Sequence, residues 1–171
     1  LNEIYEKINI KNNEDIIKIN KDLEPHISLY RTIYKKNDEV IINKTIKKIC
    51  KKYKINKFNI EGIGIFPNKN KFNLHFIVAY NKNMNKIHQE VWKELNGKIE
   101  TIEKDHYHPS SFVPHITIPI VKQSNNKTLL LKIQNELLNY DIRSIKLSAE
   151  YLSHLTGNLN TPKVYYKSKF S

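Results

Sequence analysis

Two short stretches of this chain repeat one phrase. Glu24-Pro25-His26-Ile27-Ser28-Leu29 and Val113-Pro114-His115-Ile116-Thr117-Ile118 both read Pro-His-Ile-hydroxyl-aliphatic. In an extended strand, side chains at i and i+2 share a face. His26 and Ser28 would then form one polar stripe, and His115 and Thr117 a second. Ile27, Leu29, Ile116 and Ile118 would anchor the opposite faces in a core. A neutral imidazole takes a proton, and a protonated one gives a proton to a leaving oxygen. The ordinary histidine pKa of about 6.5 allows both roles near neutral pH. The Ser28 and Thr117 hydroxyls can donate to oxygens where negative charge builds. That set suits attack at a phosphodiester and needs neither metal nor cofactor. One His-x-Ser or His-x-Thr alone is more simply a surface strand pair; two copies in a shared Pro and Ile context are much harder to dismiss.

The elements that must carry these phrases are legible in outline. His26–Tyr34 alternates as a strand does. Asp38 predicts the cap of a helix carrying Ile41, Ile42, Thr45, Ile46 and Ile49 to about Tyr53. Strands are expected over Phe58–Phe66 and Asn73–Tyr80, joined by a turn at Pro67-Asn68-Lys69-Asn70. A second helix is expected over Met84–Leu95, ended by Asn96-Gly97. A loop near Asp105–Ser111 leads to a strand over Val113–Val121. A third helix fits Lys127–Asn139, and strands at Ile142–Tyr151 and Lys163–Lys167 close the chain. The stretch up to Lys21 resists assignment, although Asn13-Glu14 could cap a short helix through Ile16, Ile17 and Ile19. The order strand, helix, strand, strand occurs twice, once from each histidine phrase. The class read from this is α+β, with sheets covered on one face. The duplicated order predicts a two-lobed, pseudo-symmetric single domain spanning 1–171, with one motif in each lobe. Lobes packed about a two-fold axis would bring both stripes to one cleft.

Bulk properties narrow the class of partner. A chain of 171 residues can bury roughly two-thirds of its unfolded surface without disulfides or structural metal. The formal net charge is +12, which favours a polyanionic partner. Yet Arg31 and Arg143 are the only arginines among 29 Lys and Arg. Lysine is a hydrated point charge, and bidentate phosphate clamps use arginine. The charge therefore speaks for a nucleic-acid substrate more than for sequence-specific binding. A single cysteine, Cys50, fits a reducing compartment. No apolar run reaches membrane-spanning length and no signal-peptide core opens the chain. A cytoplasmic monomer with no membrane partner is the resulting expectation. The chain begins at Leu1 and not at Met, which leaves room for a further N-terminal element.

Other residues compete for roles. Tyr30 continues the stripe of His26 and Ser28, placing it to stack on a base or contact phosphate, or to line the rim. Arg31 alternates to the other face and reaches the site only through a bulge or at the strand end. Both are kept as substrate-binding candidates. His106 and His108 precede the second phrase in a loop whose spacing matches no common metal site. His75 is read as structural, His88 as solvated and His154 as lying in a turn or loop. Trp92 and Cys50 are read as core. The runs Lys47-Lys48 and Lys51-Lys52 form a wet helix face. Nucleotide-binding glycine loops of the Gly-x-x-x-x-Gly-Lys or Gly-x-Gly-x-x-Gly kind are absent.

From about Glu24 to Val121 the chain resembles the 2H phosphoesterase superfamily, named for paired His-x-Thr/Ser motifs. It looks most like the bacterial 2′-5′ RNA ligase family proteins. Ile60-Glu61-Gly62-Ile63-Gly64-Ile65-Phe66-Pro67 is similar to the family's central strand. Tyr107-His108-Pro109-Ser110-Ser111-Phe112-Val113-Pro114-His115 is similar to its approach to the second motif. The resemblance implies a bilobal fold, two antiparallel sheets facing a central cleft with helices outside. It also implies metal-independent attack at a 2′,3′-cyclic phosphate or 2′-5′ linkage in RNA or a small nucleotide. Carried onto this chain, the family's catalytic histidines are His26 and His115, and its phosphate-binding hydroxyls Ser28 and Thr117. Two departures stand out. The usual strand and helix before the first motif are short or unrecognisable, and the first hydroxyl is Ser, as in the branch that trims U6 small nuclear RNA. A 3′ exoribonuclease of that kind, a cyclic-oligonucleotide hydrolase and a catalytically silent RNA-binding module are the competing readings.

Overall fold

A computed structural model describes residues 24–54, 56–68, 71–100, 107–118, 127–156 and 163–171. The expected helix near Ile16, the residue His106 and the end of the expected strand at Val121 lie outside these. Three helices are described, α1 (Glu39–Lys52), α2 (Lys82–Leu95) and α3 (Lys127–Leu138). Six strands accompany them: β1 (Asn56–Asn68), β2 (Lys71–Val78), β3 (His115–Thr117), β4 (Lys146–Ala149), β5 (Tyr151–Thr156) and β6 (Lys163–Lys169). One sheet has the order β3-β2-β1-β4, and β5 pairs with β6 in another. The α+β class and two antiparallel sheets are as expected. The chain forms two compact units. The first holds Asn59–Ala79 and His115–Ile145 with the chain around Ile27; the second holds Ser28–Phe58, Tyr80–Pro114 and Lys146–Ser171.

In the first unit the antiparallel β1–β2 hairpin pairs Gly64 with His75 and Ile65 with Leu74. Strand alternation sends Leu74, Phe76 and Val78 to one face, and all three are buried. Ile116 and Ile118 are buried with them. Helix α3 lies against β2 and buries Leu130, Ile133 and Leu137, spaced three and four apart on one stripe. Gln134 Nε2 donates to the Ile63 carbonyl at 3.0 Å, tying the helix to β1.

The second unit has its own core. Ile42, Ile46, Ile49 and Cys50 of α1 pack with Ile87, Val91 and Leu95 of α2, together with Ile99 and Phe170. Cys50 is buried as expected; burial pushes its thiol up, and Sγ donates to the Ser168 carbonyl at 3.2 Å. Helix α2 starts two residues before Met84 because Asn81 caps it, Oδ1 accepting from Asn83 N at 3.0 Å and Met84 N at 2.9 Å. It ends where Gly97, at φ 81°, takes the left-handed conformation that a side chain would resist. On the wet face, Lys48 and Lys52 pair with Glu94 and Glu90, each at 2.6 Å.

Four expectations are corrected. Asp38 does not cap α1 with its side chain; Oδ2 accepts instead from Lys35 N at 2.8 Å, closing a 3-10 turn over Lys36–Asp38. His26–Tyr34 is not a continuous strand. It holds isolated bridges only, one between Ile27 and Ile116 and one at Thr32, and from Ser28 the chain belongs to the second unit, where Leu29, Tyr30 and Tyr34 pack on the core. Ile142–Tyr151 is not one strand either. Ile142–Ser144 forms a 3-10 turn, in which Ser144 Oγ donates to the Asp141 carbonyl at 2.7 Å, and the chain changes partner strand at Glu150. His88 and His154, expected on a wet helix face and in a turn or loop, are both buried in other settings. His88 is buried and stacked on Phe112, ring centroids 3.7 Å apart. His154 sits in β5, edge-on to Tyr34 and Tyr165.

Two outcomes follow for stability. Phe76 is 0 % exposed, so Phe76→Ala should cost about 3–5 kcal/mol in urea unfolding. Burial pushes His88 down to about 4, opposed by backbone groups of Tyr107 and Leu29, so it is neutral when folded. The unfolded imidazole charges below about 6.5. Its contribution is therefore complete above that pH and shrinks as pH falls towards 4. Unfolding midpoints measured from pH 7 to 4 should decline in the wild type and flatten in His88→Leu.

Candidate active site

Strand β3 contains only His115, Ile116 and Thr117. Ile116 is 3 % exposed and its two neighbours are half-buried. Burial of the central isoleucine thus turns His115 and Thr117 together to the other face of the sheet. Pairing with β2 sets Thr117 opposite His75, Ile116 opposite Phe76 and His115 opposite Ile77. Thr117 Oγ1 lies 3.3 Å from His75 Nδ1. The His75 and His115 rings stand edge to face, centroids 4.6 Å apart at 86°. Phe66 of β1 reaches both, 4.6 Å from His75 and 5.2 Å from His115.

Gly64 makes that reach possible. It pairs with His75 and precedes Phe66 by two residues, so all three share one face. A Cβ at Gly64 would stand 2.9 Å from Ile77 Cδ1 and 3.1 Å from Phe66 Cε1. The missing side chain lets the Phe66 ring lie low across the sheet.

The first phrase joins this face through the Ile27–Ile116 bridge, which is antiparallel. An antiparallel ladder continued from that bridge would set His26 across from Thr117 and diagonal to His115; the bridge itself joins Ile27 to Ile116 alone. His26 Nδ1 lies 2.9 Å from the Glu24 carbonyl. A carbonyl only accepts, so Nδ1 carries the proton there and the lone pair of the neutral ring is on Nε2. His26, half-buried, is thus held in the tautomer that accepts a proton through Nε2.

His26, His115 and Thr117 belong to the first unit; Ser28, Tyr30 and Arg31 belong to the second. Ser28 and Arg31 are half-buried there. Tyr30 packs at the second core, its hydroxyl donating to the Ile99 carbonyl at 3.5 Å and its ring 5.8 Å from Trp92. His108 lies in a turn, with Nδ1 2.7 Å from Ser110 Oγ. Among the described residues, no three His, Cys, Asp or Glu side chains cluster as a metal site, and no helix is long and apolar enough to cross a membrane.

Sequence alone makes His75 a structural residue, yet it stands beside both Thr117 and His115. The signal is present in Leu74-His75-Phe76: with both apolar neighbours on the core face, the histidine takes the opposite face of the sheet. Its place beside Thr117 depends on β3 pairing with β2, which no local pattern announces.

Two His-Ile-hydroxyl phrases joined at their isoleucines by an antiparallel bridge are in keeping with the 2H phosphoesterases. The chain belongs to the 2′-5′ RNA ligase superfamily, whose family model matches residues 17–152. It is 32% identical over 112 residues to an RNA 2′,3′-cyclic phosphodiesterase of Methanocaldococcus jannaschii, a match covering 60% of this chain and 57% of that protein. The chain therefore spans little more than half the length of that relative.

Gly64→Ala tests how far the site depends on Phe66. The added methyl should push the ring off His75 and His115, read in proton NMR as a change in the ring-current shifts of both imidazoles. The melting temperature should fall only slightly.

Proposed function

We propose that this protein is a metal-independent phosphodiesterase that opens 2′,3′-cyclic phosphates, or cleaves 2′-5′ linkages, in RNA or small nucleotides. The observation that carries the reading is the antiparallel Ile27–Ile116 bridge, which makes the two histidine phrases neighbours. Family membership and the name of the archaeal relative support the same reaction class.

For a cyclic phosphate, one neutral imidazole takes a proton from water as the water oxygen bonds to phosphorus. The bond from phosphorus to one ribose oxygen breaks, and the second imidazole, protonated, gives its proton to that oxygen. The product is a phosphomonoester beside a free hydroxyl. His26, with its Nε2 lone pair, suits the role of base in this direction, and His115 that of acid; reversal of the reaction exchanges them. The Thr117 hydroxyl donates to a non-bridging oxygen as charge accumulates, and Ser28 is assigned the same task from the first phrase. Tyr30 and Arg31 remain the proposed contacts to the rest of the substrate.

Incubation with nucleoside 2′,3′-cyclic phosphates, 2′-5′ dinucleotides and 3′-5′ oligonucleotides, with EDTA present, tests the proposal. Conversion of the first or second substrate to a monoester or cleaved product is expected. A ladder from the 3′ end would identify an exoribonuclease instead, and salt-sensitive RNA binding without product a silent binding module. His26→Ala and His115→Ala should each lower kcat by at least about 10²-fold with the fold retained by circular dichroism. Near-wild-type turnover in either variant would overturn the two-histidine assignment.

A further inference from the structure

We propose that His75 is a positioning residue for this reaction: its Nδ1–H donates to Thr117 Oγ1 and so frees the threonine hydroxyl proton for the substrate phosphate. This rests on the phosphodiesterase reading above.

Thr117 has one hydrogen to give and two lone pairs to offer. Its oxygen lies 3.3 Å from His75 Nδ1, and the direction of that contact decides what the hydroxyl can do. With Nδ1 bare, threonine spends its hydrogen on His75 and can only accept from other groups. A phosphate oxygen, which also only accepts, would then meet a lone pair. With Nδ1 protonated, the imidazole donates to threonine, and the hydroxyl hydrogen turns towards the phosphate. Only the second arrangement makes Thr117 a donor at the developing charge.

The surroundings hold the ring for that task. His75 is 5 % exposed, so water competes little for its edge. Phe66 lies against one side at a tilt of 32°, and His115 stands edge to face at 86°. Cross-strand pairing of His75 with Thr117 brings the two side chains together by backbone register. A cationic His75 would stand 4.6 Å from the ring that must itself carry a proton during turnover. The neutral Nδ1–H form donates to Thr117 without that conflict.

Two measurements decide it. Side-chain ¹⁵N spectra of the full chain, with the His75 signals assigned by their loss in His75→Gln, report the tautomer without any substrate. Protonated Nδ1 is expected; a bare Nδ1 would overturn the proposal. Kinetics provide the second. His75→Leu, which has no donor, should lower kcat by about 30-fold with KM nearly unchanged, somewhat less than removal of a whole oxyanion donor. His75→Asn, whose amide can offer an N–H near the Nδ1 position, should recover most of that loss. In a Thr117→Val background, His75→Leu should cost almost nothing more, because the interaction it serves is already gone. Equal damage from Asn and Leu, or an undiminished cost of His75→Leu in the Thr117→Val background, would reduce His75 to a packing residue and sink the idea. If His75→Leu fails to fold, the spectra and His75→Asn still decide. A wild-type protein inactive on cyclic phosphates would refute the proposed function, while the tautomer would still be read independently.

Discussion

The antiparallel pairing that holds Ile116 is the constraint on which the site depends. Ile116 faces Phe76 across one strand boundary and Ile27 across the other, and it is almost wholly buried. Because strand side chains alternate, a one-residue slip would turn both histidine phrases into the core and expose their isoleucines. The apolar face of the first unit therefore supplies the register, and the register places the imidazoles. Burial of aliphatic side chains favours the correct pairing by a wide margin, since each exposed isoleucine would forfeit roughly 1.5–3 kcal/mol.

Around that pairing the sheet face is cleared and then furnished. Gly64 removes bulk opposite His75, and Phe66 covers the space with an apolar ring against two imidazoles. An apolar wall beside His75 and His115 limits competing water and strengthens the hydrogen bonds that remain. Outside that group, the Glu24 carbonyl holds the His26 ring by its Nδ1. His115 and His26 are thus each met by a different neighbour, the Phe66 ring for one and the Glu24 carbonyl for the other.

The second unit uses histidine differently. His88 stacks on Phe112 and is held uncharged by burial; His154 is buried between tyrosine edges and is also pushed down. These rings serve as flat, faintly polar packing pieces. Neither lies in a repeated phrase, and the role of each is set by its tertiary neighbours, which explains why they are less legible than the two in the repeated phrase. The lysine runs show the same ambiguity resolved the other way: Lys48 and Lys52 form ion pairs with Glu94 and Glu90 on a wet helix face, as their spacing implies.

By itself the sequence determined the local elements and the chemistry on offer. The three helices and the β1–β2 hairpin follow from spacing, Asn81 and Gly97, because these depend on neighbours a few residues away. The repeated Pro-His-Ile-hydroxyl phrase announced two histidines and two hydroxyls for the same reason. Tertiary structure decided which strands pair. It reduced the first phrase to a single bridge, divided Ile142–Tyr151 between different strand partners and set His75 across from Thr117. Those outcomes depend on contacts between residues far apart in the chain, where the burial of Ile116 and Phe76 chooses the partner. The repeated motif named the candidate catalytic groups, and the pairing of its isoleucines decided which side chain stands beside each of them.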